Sequence, residues 1–304
     1  MLRGEPLEQE PWRTWSSKHA RIHAALVVER TRVVERDHER SIASTLPFEE
    51  RLGRLESGET CDLPHTLAAA ALPAHVPVLV ACLDPSRTRV FVCAARALGR
   101  LGGEQALTAL LDAADRLRKV TGYPLGRSGA LAGALAEFDD PRVLTLARSA
   151  YGSEHPLLDQ VALHLFERRA TLEDVPRVVE RLRDQYRTPE DDHAVRHAAQ
   201  VLGRFPGQGW IDELVHAAHD LRCASCRGKT LRALSVLDAP RFERTLARAC
   251  LWDCDDATVG LGIRTAPLDA PLVRPRLVAL AARRAISPHG SDDAMHARHR
   301  LAIG

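Results

Sequence analysis

Four cysteines in the second half of the chain have spacings that suit metal chemistry. Cys223 and Cys226 are three apart, and Cys250 and Cys254 are four apart. On expected neighbouring helices each pair faces one way, and four thiolates could surround a zinc ion tetrahedrally. His216 and His219, on the preceding expected helix, are substitute ligands. Zinc ribbons, however, hold Cys-x-x-Cys on tight loops, and here the spacing falls within an expected helix over 223–236. The alternative is that these thiols are small buried apolar groups. A second string, Trp252-Asp253-Cys254-Asp255-Asp256, sets an aromatic face one helical turn from a carboxylate. Such a pair can hold a cation against the ring and stabilise developing positive charge. Trp210-Ile211-Asp212-Glu213 repeats the pattern. The competing reading has Asp255 and Asp256 capping the helix that follows, with Trp252 packed on it. Asp191-Asp192-His193 reads the same way, as acids at a helix start. There is no Gly-rich phosphate loop and no Gly-x-Ser-x-Gly.

Basic residues form the third candidate. Arg87, Arg89, Arg96 and Arg100 fall on one expected helix, and Arg196, His197 and Arg204 on another. Arg222, Arg227, Lys229 and Arg232 lie on or beside a third, with Arg298 and Arg300 on the last. Aligned on one face they would read an acidic peptide, a phosphorylated ligand or a nucleic-acid backbone. Against this, each could be a solvated residue paired with an acid of the preceding unit. The formal net charge is only +2, with 42 basic and 40 acidic residues, so no global field favours nucleic acid or membrane. Lys18, Lys119 and Lys229 are the only lysines, so the abundance of Arg is a compositional skew before it is a function.

The elements that must position these groups are helices. Apolar residues make up 45% and aromatics only 4%, with Ala and Leu dominant. That composition favours helices that approach closely and gives no period-2 strand pattern. No 18-residue apolar span and no apolar leader are visible, and the cysteines sit in apolar runs. The expectation is a cytoplasmic protein with reduced thiols, no membrane contact and no cofactor.

The helical pattern recurs. Leu98-Gly99-Arg100 returns as Leu202-Gly203-Arg204, displaced by 104 residues, and Leu135-Ala136-Glu137 stands 37 residues after Leu98 in the same register. Asp-x-Pro turns recur at Asp139-Asp140-Pro141, Asp238-Ala239-Pro240 and Asp269-Ala270-Pro271 and should start successive helix pairs. The resulting pairs are 76–83 with 86–101, 104–118 with 127–137, 141–151 with 156–168, and 172–186 with 191–204. They continue as 209–220 with 223–236, 240–251 with 255–264, and 271–285 with 292–302. Residues 1–15 read as a loose arm, followed by a charged helix to about Ile42. Short helices are expected from Pro47 to near Gly58 and over 64–72.

Alternating Asp-Pro turns and Ala-Ala-x-x-Leu-Gly helices resemble the HEAT-repeat superfamily, in particular the short bacterial HEAT-like repeats. The likeness covers residues 74–304 and leaves 1–73 as a divergent helical cap. It implies an all-α, right-handed α-solenoid of HEAT-like helical hairpins whose second helices line a concave face where partners bind. The implied function is a non-enzymatic scaffold whose Arg-lined groove holds a partner protein or peptide bearing acidic groups. Nucleic-acid binding is the alternative, with Trp252 and Asp256 resembling the aromatic and carboxylate of HEAT-like alkylpurine DNA glycosylases. The remaining signature residues of those enzymes do not align. His38-Glu39 resembles one of four pairs that HEAT-like di-iron hydroxylases need, and one pair does not make that site.

Overall fold

The computed structural model describes residues 45–58, 63–120, 126–185, 192–206, 211–282 and 290–303. The arm, the charged helix to Ile42, His38-Glu39, Cys61, Asp191 and Trp210 lie outside the described residues. Every regular element is a helix, and no strand occurs among the described residues. Contacts divide the chain into two units, one within Thr31–Asp174 and the other holding Val175–Gly304.

In the first unit, α1 (Phe48–Glu56) pairs with α2 (Leu63–Ala70), and α3 (Val76–Ala81) with α4 (Thr88–Leu101). α5 (Glu104–Leu117) pairs with α6 (Arg127–Leu135), and α7 (Pro141–Ala150) with α8 (Pro156–Arg169). The second members stack in a row, α2 on α4, α4 on α6 and α6 on α8, while α3 also meets α5. The expected boundary at 73/74 falls inside this unit. In the second unit α9 (Val175–Gln185) pairs with α10 (Asp192–Leu202), and α11 (Ile211–Asp220) with α12 (Ala224–Leu237). A broken helix, α13 (Ala239–Thr245) and α14 (Ala247–Cys250), precedes α15 (Asp256–Thr265), and α16 (Val273–Ala282) pairs with α17 (Gly290–Ile303). Here the row runs α10, α12, α15, α17.

The repeated Leu-Gly-Arg gains a physical meaning from this row. A Cβ on Gly99 would lie 2.7 Å from the Cα of Ala134, so α4 touches α6 backbone to backbone. A Cβ on Gly203, just after α10, would meet Cβ of Ala233 on α12 at 3.0 Å. Further along, the bare α-carbon of Gly228 admits Asp255 and Thr258, the cap of α15. Around these contacts Phe91, Leu98, Leu110, Leu131, Leu135 and Phe166 are fully buried. Each such side chain contributes about 1.5–3 kcal/mol relative to exposure. Alanines fill the remaining layers, which is why a chain with few aromatics still packs.

Helix starts follow the expected turns in two of three cases. Asp140 accepts the amide of Arg142 and Asp238 that of Arg241, each ahead of a Pro in the first turn. Asp269 does not cap. Pro267 and Pro271 instead build successive turns over 267–273, Leu272 takes a left-handed φ of 67°, and α16 begins only at Val273. Residues 172–174, expected as the first turn of α9, form a 3-10 turn. The expected 240–251 helix breaks at Leu246, which is buried with φ −115°.

The close approach predicts opposite outcomes at two glycines. Gly99→Ala forces α4 from α6 and should cost about 1–3 kcal/mol, the usual penalty of overpacking. Gly133 on α6 has open space around its α-carbon, so Gly133→Ala should stabilise by about 0.4–1 kcal/mol. Urea midpoints at matched m-values check both signs.

Candidate partner-binding face

Charge varies from one stacked helix to the next: α4, α6 and α12 hold Arg or Lys and no acidic residue, whereas α8, α10, α15 and α17 also hold carboxylates. Many of the arginines are used by the fold. Arg100, in the last turn of α4, donates to the carbonyls of Ala69 (3.2 Å) and Ala71 (2.8 Å) at the end of α2. Arg169 does the same from α8 to Ala136 O at the end of α6, at 2.7 Å. Arg300 on α17 reaches the carbonyls of Arg264 and Ala266 at the end of α15. One recurring Arg thus satisfies the orphan carbonyls of the preceding row helix and places its positive charge at the negative end of that helix dipole.

Arg227 is tied down from both sides. It donates to Asp253 at 2.8 and 3.1 Å and to Leu221 O at 2.8 Å. Burial raises the Asp253 carboxyl, but hydrogen bonds from Arg227 and from the amide of Asp255 outweigh it and hold the group below the usual carboxylate range. Asp174 behaves alike. Its side chain is 3% exposed, and Arg148 and Thr171 overcome the burial that would raise it.

The other expected binding residues are placed as follows. Arg89 is exposed and makes a long 3.5 Å contact with Gly58 O. Arg196 contacts the buried His197, Nη2 to Nε2 at 2.8 Å, and its own Nε is buried without a hydrogen-bond partner among the described residues. Arg204 lies with its guanidinium carbon 5.3 Å from the centre of the Phe205 ring. Arg96 on α4 and Arg232 on α12 are exposed and in no ion pair among the described residues. Lys229 is exposed beside Arg232 on α12.

Between α4 and α8, the outward positions of α6 are Gly129 and Gly133, so this part of the row presents backbone rather than side chains. A Cβ on Gly129 would stand 3.7 Å from Nε2 of His164 on α8. Sequence reasoning missed this bare helix, although its Gly-x-x-x-Gly spacing was legible. α5, with Val80 of α3, borders a shallow recess of about 550 Å³ lined by Gln105, Thr108, Asp112, Asp115 and Arg116. Its mixed charges give no preference for an acidic group.

The zinc set separates by environment. Cys226 and Cys250 are buried, Cys223 is half-buried and Cys254 is exposed. No three of the four sulfurs lie within 4.8 Å of one another among the described residues. Cys250 donates to Leu246 O at 3.4 Å, and burial pushes its thiol up to about 12. Trp252 and Asp256 belong to different elements, a turn and the start of α15. The Trp252 ring already has the Arg276 guanidinium carbon 5.8 Å from its centre. Asp255 is the cap, accepting the amide and hydroxyl of Thr258. No helix among the described residues is long and apolar enough to cross a membrane. Compared with family models, curated proteins and solved structures, the chain matches none.

The Arg227–Asp253 pair sets a pH dependence. Asp253 is depressed in the folded state, so its stabilisation is full above the ordinary carboxylate pKa near ~4 and fades as pH falls through the folded value. Arg227→Met should cost about 1–3 kcal/mol at pH 7, because a nearly buried carboxylate loses its partner. That deficit should shrink below about pH 4, where the parent loses the same interaction. Denaturant midpoints from pH 7 to 3 measure it.

Proposed function

We propose that these helical hairpins form a HEAT-like, right-handed solenoid that acts as a non-enzymatic binding scaffold for an acidic protein segment. The observation that carries this reading is the charge of one second helix in each unit. α4 in the first unit and α12 in the second are basic without a carboxylate on the same helix, and the fold consumes Arg100 and Arg227 but leaves Arg96, Lys229 and Arg232 exposed. An extended acidic segment fits such a surface because guanidinium forks bind carboxylates in pairs. The bare Gly129/Gly133 stretch of α6 supports the same reading by letting a partner backbone approach closely. Stacked helices are preorganised, so little ordering entropy is lost on binding. Cross-helix Arg ties such as Arg100 to α2 and Arg169 to α6 favour that rigidity.

The experiment compares parent protein with Arg96→Glu plus Arg232→Glu, both checked for unchanged helicity and melting. Binding is measured to a fluorescent Glu-rich peptide and to a plain duplex DNA across a salt series. The scaffold reading expects salt-sensitive peptide binding, weakened about tenfold or more by charge reversal, which is about 1.4 kcal/mol. Peptide binding that ignores the two substitutions counts against it. Tight duplex binding with a steep salt slope, and no peptide binding, replaces it with the nucleic-acid alternative.

A further inference from the structure

The scaffold reading makes no use of a thiol pair that lies wholly within the second unit. Cys223 is not inside a helix, as its spacing suggested. It is the N-cap of α12, with φ −70° and ψ 112°, and Cys226 is the third residue of the first turn. The Cys223 side chain makes no capping hydrogen bond to α12. Residues three apart have Cβ atoms about 5–6 Å apart, within reach of the rearrangement that a disulfide requires. The two sulfurs differ in access, Cys223 being half-buried and Cys226 only 1% exposed. Sγ of Cys226 lies 3.7 Å from Nδ1 of His193, which the first turn of α10 supplies. The entry loop 221–223 is anchored because Arg227 grips Leu221 O while paired with Asp253. A helix N-terminus stabilises negative charge placed on it, α12 has no acidic residue, and exposed Arg222 adjoins Cys223. Cys93 offers the contrast. It is buried within α4, and burial pushes its thiol up to about 12, which leaves it inert.

We infer that Cys223 and Cys226 form a reversible dithiol–disulfide centre that exchanges with small-molecule disulfides, with His193 serving the buried thiol. The thiolate of Cys223 attacks one sulfur of RSSR. The S–S bond breaks, the first thiolate leaves and takes a proton from solvent, and a Cys223–SR mixed disulfide remains. Cys226 then passes its proton to Nδ1 of His193 and attacks Sγ of Cys223. The second thiolate leaves and collects that proton from the imidazolium. The protein dithiol is oxidised by two electrons to one internal disulfide, and the external disulfide is reduced to two thiols. The accessible sulfur is thus the point of attack and the buried one resolves. Partner binding plays no part in the chemistry, so the centre stands or falls apart from the scaffold reading.

The test uses the full chain carrying Cys61→Ser and Cys254→Ser, exposed to excess glutathione disulfide, trapped by alkylation and mapped by mass spectrometry. The expected product is a Cys223–Cys226 linked peptide with no retained glutathione. Cys226→Ser should accumulate one glutathione at Cys223, and Cys223→Ser should leave Cys226 reduced. His193→Ala should slow collapse of the mixed disulfide by about a hundredfold without slowing its formation. Both thiols still alkylatable after equilibration, or glutathione left on the parent, overturns the proposal. The parent's peptide map decides this alone, so a poorly folded variant does not blur the outcome.

Discussion

Everything in each unit depends on how closely one row helix can approach the next. At Gly99 the backbone of α4 rests on Ala134 of α6, and at Gly203 the chain leaving α10 rests on Ala233 of α12. A larger residue at either place would hold the helices apart, and the leucines on each side would no longer interlock. Packing at native density tolerates little such error. Within each unit every hairpin packs its apolar face on the next, so neighbours complete one another's core. This accounts for a core made of Leu and Ala, in which only a few phenylalanines, such as Phe91, Phe166 and Phe242, are fully buried.

Close stacking creates a second problem, which arginine answers. Short helices ending against one another leave carbonyls without partners. Arg100, Arg169 and Arg300 each reach back to the end of the preceding row helix and fill that need. A lysine has one compact charge and could not span two carbonyls with a planar fork. Other arginines tie successive hairpins through acids. Arg142 meets Glu104, Arg183 meets Glu213 and Arg241 meets Asp212. The high Arg content is therefore largely structural. Arg96, Lys229 and Arg232 are among the cations of α4 and α12 that the fold does not consume, which is why the proposed binding role rests on them.

At the level of elements, much was legible. Apolar spacing and Asp-Pro turns located most of the described helices to within a few residues, because those signals act over one or two turns. The failures share a cause. The Asp269 turn looked like the other two, but Pro267 just before it imposed turns of its own. Leu246 breaks an uninterrupted helical pattern by turning inward, a choice made by packing and invisible in local propensity. The cysteine spacing was read as helical throughout, and moving the start of α12 by one residue turned Cys223 into a cap. A shift too small to matter for fold assignment changed the chemistry open to that residue.

The candidate face was legible only as a set of residue types. Sequence could place Arg89, Arg96 and Arg100 on one helix, but not say which of them reaches a carbonyl 29–31 residues earlier. The amino-acid order by itself determined that the chain is helical, where most helices begin, and that small residues recur at fixed places, because capping, proline geometry and apolar period are local. Tertiary structure alone decided which cations are spent inside the fold, which sulfur is sheltered and which helix is left bare. Those outcomes depend on distances between segments far apart in the chain, and no local pattern encodes them.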